Sequence, residues 1–223
     1  MAQTSIESEV ARFNEGFEAQ IGPDLAGTFA QEQADLRSVG TPSGVVRAGD
    51  ALPDAALPDA ALLTARGDAV RLSTVLGGGP AVLVFYRGAW CPYCNITLRT
   101  YQRELLPPLA GQGVALVAVS PQHPERSGAT AEGAELGFDV LSDPSNTLAG
   151  ALGIVTEPST EARRAHTQLG FEVSDSNADG TAAIPFPTVL VVDAGGTVRF
   201  VDVQTDYTRR TEVTAILAAV AHL

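Results

Sequence analysis

Near the N-terminus, apolar positions recur at steps of three and four. Ile6, Val10, Phe13, Phe17 and Ile21 make one stripe, which predicts an amphipathic helix over residues 4–21. Thr4 and Glu7 have capping-box spacing at its start, and Gly22-Pro23 ends it. A second, weaker helix is expected from Asp24 to about Leu36, followed by a linker, RSVGTPSGVVRAGD. The tandem ALPDAALPDA at 51–60 is too short for a solenoid and reads as a proline-punctuated lead-in to a first strand.

Beyond it the period changes. AVLVFY (81–86) and VALVAVS (114–120) are short, valine-rich and apolar throughout, as strands buried on both faces must be. A helix from about Pro92 to Leu106 separates them, so the three form a β-α-β unit with parallel strands and a right-handed crossover. FDVLSD (138–143) adds a strand, and Asp143-Pro144 supplies an N-cap and a first-turn proline for the next helix. TVLVVD and TVRFVDV flank Ala194-Gly195-Gly196 as a β-hairpin. A last helix is expected over residues 209–221, with Val213, Ile216, Leu217 and Val220 on one face. The fold class is therefore α/β, a central mixed sheet with helices on both faces. Residues 1–44 form a helical extension and 45–223 the main domain. The extension is expected to pack on that domain or on another subunit, which admits a homodimer.

Composition narrows the chemistry. The chain of 223 residues can bury a core without covalent staples. Its formal charge of −12 disfavours nucleic acid and anionic membranes as partners. All 14 basic residues are arginine, which removes lysine Schiff-base and P-loop chemistry. The first residues carry neither a basic nor an apolar leader segment, so the expected compartment is the cytoplasm. Nothing in the sequence calls for a cofactor.

The only two cysteines, Cys91 and Cys94, stand together in FYRGAWCPYC. In a reducing compartment such a C-x-x-C reads first as redox chemistry and second as half a metal site. Cys91 follows a strand and precedes Pro92, which puts it at a helix N-terminus, where unpaired N–H groups favour thiolate. Cys94 lies one turn on, within reach of a disulfide. Arg87 is a nearby cation. Trp90 is expected to shield the site and Tyr101 to be a core or rim residue. His123, in SPQHPE, is a candidate proton donor, with a solvent-facing loop position the plainer reading. Asp202, Asp206, Arg209 and Arg210 read as a surface ion-pair cluster.

FYRGAWCPYC, LSDPSNTLAGALGI, FPTVLVVDAGGTVRFVDV and DYTRR together resemble the peroxiredoxin-like (alkyl hydroperoxide reductase/thiol-specific antioxidant) branch of the thioredoxin-fold superfamily, from about residue 45 onward. The resemblance implies a thioredoxin-like fold and reduction of hydrogen peroxide or an organic hydroperoxide. It also implies recycling by a thioredoxin-like or glutathione-type reductant. It places Cys94 on the peroxidatic position of P-x-x-x-T-x-x-C, with Arg87 in place of the proline and Cys91 in place of the threonine. No arginine stands beside Pro187, where relatives carry one. Pro187 matches a cis-proline facing the cysteines, which makes Phe186, Pro187 and Thr188, with Arg87 and Trp90, the expected substrate-binding residues.

The two readings name different nucleophiles. Helix-terminus geometry favours Cys91 for disulfide exchange, and the peroxide-attacking sulfur stays open between the two. One alternative keeps the fold as a thiol–disulfide oxidoreductase acting on protein disulfides. Another is a non-enzymatic metal-binding or redox-sensing interaction module, disfavoured because His123, His166 and His222 lack the spacing to complete a zinc site.

Overall fold

The computed structural model describes residues 5–53 and 62–223. Thr4 and most of the 51–60 repeat lie outside them. Two helices, α1 (Ile6–Ile21) and α2 (Pro23–Val39), form a helical hairpin joined at Gly22. Ser5 is the N-cap of α1, its hydroxyl accepting from the Ser8 N–H at 3.2 Å.

The main sheet has seven strands: β1 (Leu62–Leu63), β2 (Ala69–Val70), β3 (Ala81–Phe85), β4 (Ala115–Ser120), β5 (Asp139–Ser142), β8 (Thr188–Val192) and β9 (Val198–Val203). Their spatial order is β2-β1-β5-β4-β3-β8-β9. The β3–β4 and β4–β5 pairs are parallel, and β3–β8 and β8–β9 are antiparallel. The β-α-β unit and the late hairpin thus form as the sequence pattern requires. A two-stranded ribbon, β6 (Val155–Thr156) with β7 (Ile184–Pro185), stands apart.

All five residues of β3 are buried, because both sheet faces are covered. Alternation sends Val82 and Val84 to one core and Leu83 and Phe85 to the other. The first core contains Leu98 of α4 (Pro92–Thr100) and Val213, Ile216 and Val220 of α9 (Val213–Val220). The second is closed by Leu72 of α3 (Leu72–Leu76) and Leu148 of α7 (Thr147–Ala151), with Leu152 beyond it. Asp143 caps α7 across a 3-10 turn: its two carboxylate oxygens accept from the Leu148 and Ala149 N–H groups at 3.0 and 2.9 Å.

Two helix expectations change. The last helix begins at Val213, not 209, and Glu212 is its N-cap. Residues 209–211 are held instead by separate contacts: Arg209 to Asp206, Arg210 to the cysteines and Thr211 to Asp202. The helix after Cys91 widens into a π-turn over Tyr101–Leu105 and continues as α5 (Leu106–Gly111). Pro107 and Pro108 cannot donate and would press on the carbonyls one turn back, so the wide turn moves those carbonyls aside.

The α1–α2 hairpin is fastened to this body. Ile6 and Val10 enter the first core. The Glu212 carboxylate accepts from the Ile6 and Glu7 N–H groups at 3.1 and 2.9 Å, so the N-cap residue of α9 spends its side chain on the start of α1. Arg37 pairs with Asp206 at 2.8 Å, and Glu32 accepts from the Ser159 N–H, just ahead of α8 (Thr160–Gln168), at 2.8 Å. Among the described residues no helix is long and apolar enough to cross a membrane.

Candidate active site

Cys91 is the N-cap residue of α4, with Pro92 in the first turn. Both cysteines are free and buried, 1% and 0% exposed. The loop ahead of them is fixed by Gln122, whose amide oxygen accepts from the Ala89 N–H at 2.8 Å and whose amide nitrogen donates to the Tyr86 hydroxyl at 3.1 Å. Asn95 donates to the Ala89 carbonyl at 2.8 Å. Gly88 has φ +148, and a Cβ there would lie 2.5 Å from the Trp90 Nε1, so the close pass of the loop under Trp90 admits only glycine.

The sulfurs are not equivalent. Arg210 Nη2 donates to Cys94 Sγ at 3.2 Å and lies 3.8 Å from Cys91 Sγ. The Arg210 Nη1 is anchored on the Tyr207 and Arg209 carbonyls at 2.5 and 2.6 Å. Burial alone would push the Cys94 thiol up. The Cys91 S–H donated to it, the Arg210 guanidinium, and the backbone N–H and guanidinium of Arg87 reverse that and hold Cys94 well below the ordinary thiol range. Cys91 is driven the opposite way, by burial first and then by donating its proton toward the Cys94 anion. Both directions favour the negative charge on Cys94 and the proton on Cys91.

Two sequence expectations are affected. The Arg210 guanidinium, 3.2 Å from Cys94 against 3.8 Å from Cys91, favours charge on the second cysteine over the one at the helix terminus. Arg210 is no member of a surface ion-pair cluster. Asp206 pairs with Arg37 and, at 3.8 Å, with Arg209, while Asp202 accepts from Thr211 and Gln204. Arg210 points inward and supplies the cation that is absent beside Pro187. The DYTRR segment was visible, but no local spacing tells which of two adjacent arginines turns 116 residues back along the chain.

The remaining candidates fall around the pair. Arg87 is buried, its guanidinium carbon 4.8 Å from the Trp90 ring centre and 4.1 Å from that of Tyr207. Trp90 also packs on Phe171 and His166. Tyr101 is wholly buried and donates to the Thr211 carbonyl at 2.6 Å, steadying the segment that carries Arg210. Cys94, Pro187, Thr188, Tyr101 and Arg210 line one small pocket. The Phe186–Pro187 bond is not cis, since no cis peptide bond occurs among the described residues. Trans is the favoured isomer by about 0.5–1 kcal/mol. The segment's polar groups are already used: Phe186 N–H donates to the Ile154 carbonyl, Gln204 N–H to the Pro187 carbonyl, and the Thr188 hydroxyl to the Phe186 carbonyl, all within 2.8–2.9 Å. His123 is exposed at the N-cap of α6 (Pro124–Gly133), and its neighbour Gln122 is the residue that reaches the cysteine loop.

A buried cysteine pair at the start of the helix that follows the interior strand β3, with two arginines against it, is the arrangement of a thiol-based oxidoreductase. Over residues 48–201 the sequence matches the AhpC/TSA family. The chain belongs to the AhpC/TSA family and is a peroxiredoxin-like oxidoreductase, by class a thiol peroxidase. Solved structures agree on a thioredoxin fold. Peroxidoxin BcpB from Mycobacterium tuberculosis aligns with TM-score 0.58 and 21% identity, covering 79% of this chain and 95% of that one. Reduced Prx3 from Vibrio vulnificus in complex with H2O2 aligns with TM-score 0.60 and 20% identity over 79% and 99%. Bacterioferritin comigratory protein from Xanthomonas campestris aligns with TM-score 0.54 and 16% identity over 77% and 96%. No curated protein matches the chain.

Proposed function

We propose that this protein reduces hydrogen peroxide or an organic hydroperoxide with Cys94 as the attacking thiolate and Cys91 as the resolving thiol. The observation that carries the reading is the Arg210 guanidinium 3.2 Å from Cys94 Sγ, in a pocket that also contains Tyr101 and Thr188. Cys94 attacks the terminal peroxide oxygen. The O–O bond breaks, Cys94 becomes sulfenic acid, and the departing alkoxide or hydroxide takes the Cys91 proton. Arg210 and the Arg87 N–H stabilise charge as it moves from sulfur to oxygen. The Cys91 thiolate then attacks the Cys94 sulfur, expelling hydroxide and leaving a Cys91–Cys94 disulfide. An external thiol or dithiol restores the pair, which suits a reducing compartment such as the cytoplasm. Two structural neighbours fit this chemistry in their own right: the Vibrio vulnificus Prx3 is seen in complex with H2O2, and the Xanthomonas campestris protein has alkyl peroxide reduction activity.

Action on protein disulfides is less well supported, since both sulfurs are buried and the Phe186–Pro187 backbone is already paired. The test is exposure of Cys91→Ser and Cys94→Ser to one equivalent of peroxide, followed by a sulfenic-acid probe and peptide mass spectrometry. Cys91→Ser should accumulate sulfenic acid on Cys94, and Cys94→Ser should stay unlabelled. Labelling of Cys91 in Cys94→Ser at the faster rate overturns the assignment.

A further inference from the structure

The two sulfurs front different spaces. Cys94 lines the small pocket with Arg210, whereas Cys91 lines a cavity of ≈ 410 Å³ that does not include Cys94. That volume lies in the range of small-molecule sites, roughly 300–1,000 Å³. Its walls are aromatic: Phe13 and Phe17 from α1, Phe29 from α2, Trp90 and Phe171. Two charged side chains reach it, Arg87 beside the cysteines and Glu18 on α1. Among the described residues no carboxylate pairs with Arg87, whose guanidinium rests between two aromatic rings. The α1–α2 hairpin that forms one side is tied down at Glu212, Asp206 and Ser159. A loop of another folded protein must lift that hairpin to touch Cys91, while a small molecule need not.

We propose that the cavity over Cys91 is the site of the reductant, and that the reductant is a low-molecular-weight zwitterionic thiol, a thiol amino acid or short thiol peptide. Its carboxylate meets Arg87, its ammonium meets Glu18, and its apolar stem lies on the aromatic walls. The inference rests on the Cys91–Cys94 couple of the proposed function. The incoming thiolate attacks Cys91 Sγ, the S–S bond breaks, and Cys94 leaves as the thiolate that Arg210 already holds. A second thiolate attacks the bound reductant's sulfur in the mixed disulfide. That releases the oxidised reductant as its disulfide and Cys91 as a thiolate, which takes a proton from solvent. One disulfide is reduced and two thiols are oxidised.

The test uses the full chain with its disulfide preformed by diamide, so that it runs whether or not peroxide is a substrate. Failure of peroxide to form the disulfide would defeat the peroxidase reading alone. Reduction by glutathione, 2-mercaptoethanol and a thioredoxin is followed by stopped-flow fluorescence of Trp90. Glutathione should show a rate that saturates with concentration, 2-mercaptoethanol a linear one, and quenching during the reaction should trap the mixed disulfide on Cys91. Ala26→Trp, which fills the cavity from α2, should lower the glutathione rate at least tenfold. Linear dependence on glutathione no faster than on 2-mercaptoethanol, a mixed disulfide on Cys94, or a thioredoxin faster than glutathione by a hundredfold at equal concentration each overturns the proposal. These wild-type readings decide it even if Ala26→Trp does not fold.

Discussion

Among single residues, Arg210 matters most to the chemistry after the cysteines themselves. Its guanidinium, with the donated Cys91 proton and the N–H and guanidinium of Arg87, is what makes the Cys94 anion tolerable in a buried site. Arg210→Gln keeps a hydrogen-bond donor but removes the charge. Oxidation by peroxide should fall by about 10²–10³-fold, the size seen when one donor to a developing oxyanion is lost. The acid limb of its pH–rate profile should move upward, because the thiolate then forms only at higher pH; stopped-flow oxidation across pH reads both. A loss under threefold with an unmoved acid limb would show that Arg210 is a structural anchor. None of this was legible from position 210 alone. The sequence places Cys91 and Cys94 together and puts Arg87 near them, but charge on a sulfur is decided by whichever cation folds back onto it.

Elements were more readable than roles. The buried strands, the β-α-β unit and the late hairpin follow from period-two and continuous apolar patterns, which burial on two faces enforces. The first helix follows from its stripe, although its N-cap is Ser5 and its start is also fastened by Glu212, a residue 206 positions away. Such long-range caps leave no local signature. The proline pair that widens the long helix was visible, yet a π-turn satisfies it without ending the helix. Asp143 was legible as a cap, and its electrostatics add a prediction. Burial raises its carboxyl to about 6, against the opposing pull of the Ala149, Leu148 and Thr147 N–H groups. The folded state therefore binds more protons than the unfolded chain between pH about 4 and 6, and this contribution to stability is lost as pH rises through that window. Asp143→Asn keeps one acceptor and cannot titrate, so urea unfolding midpoints should fall less across that range than in the wild type. Identical slopes would place the proton elsewhere.

At the scale of the molecule, the start of the helix after the interior strand β3 presents the sulfurs, and a helical hairpin covers the Cys91 side. The cover is fastened by Ile6 and Val10 in the first core and by its ties to Glu212, Asp206 and Ser159, so it should unfold with the core. Ile6 is 1% exposed, and Ile6→Ala should cost about 2–5 kcal/mol if the hairpin unfolds together with the sheet. If the hairpin instead opens alone, quenching of Trp90, the sole tryptophan, by acrylamide should rise well before the sheet unfolds in urea. We expect the first behaviour, since the hairpin shares the first core and its ties to the body are long-range. The account as a whole turns on one assignment, a thiolate on Cys94 and a thiol on Cys91 in the folded chain. Ultraviolet titration of the thiolate in folded Cys91→Ser and Cys94→Ser tests it most directly, because serine at 91 still donates a hydrogen bond. Cys91→Ser should show a full thiolate at neutral pH and Cys94→Ser none until alkaline pH; the reverse pattern would contradict the account.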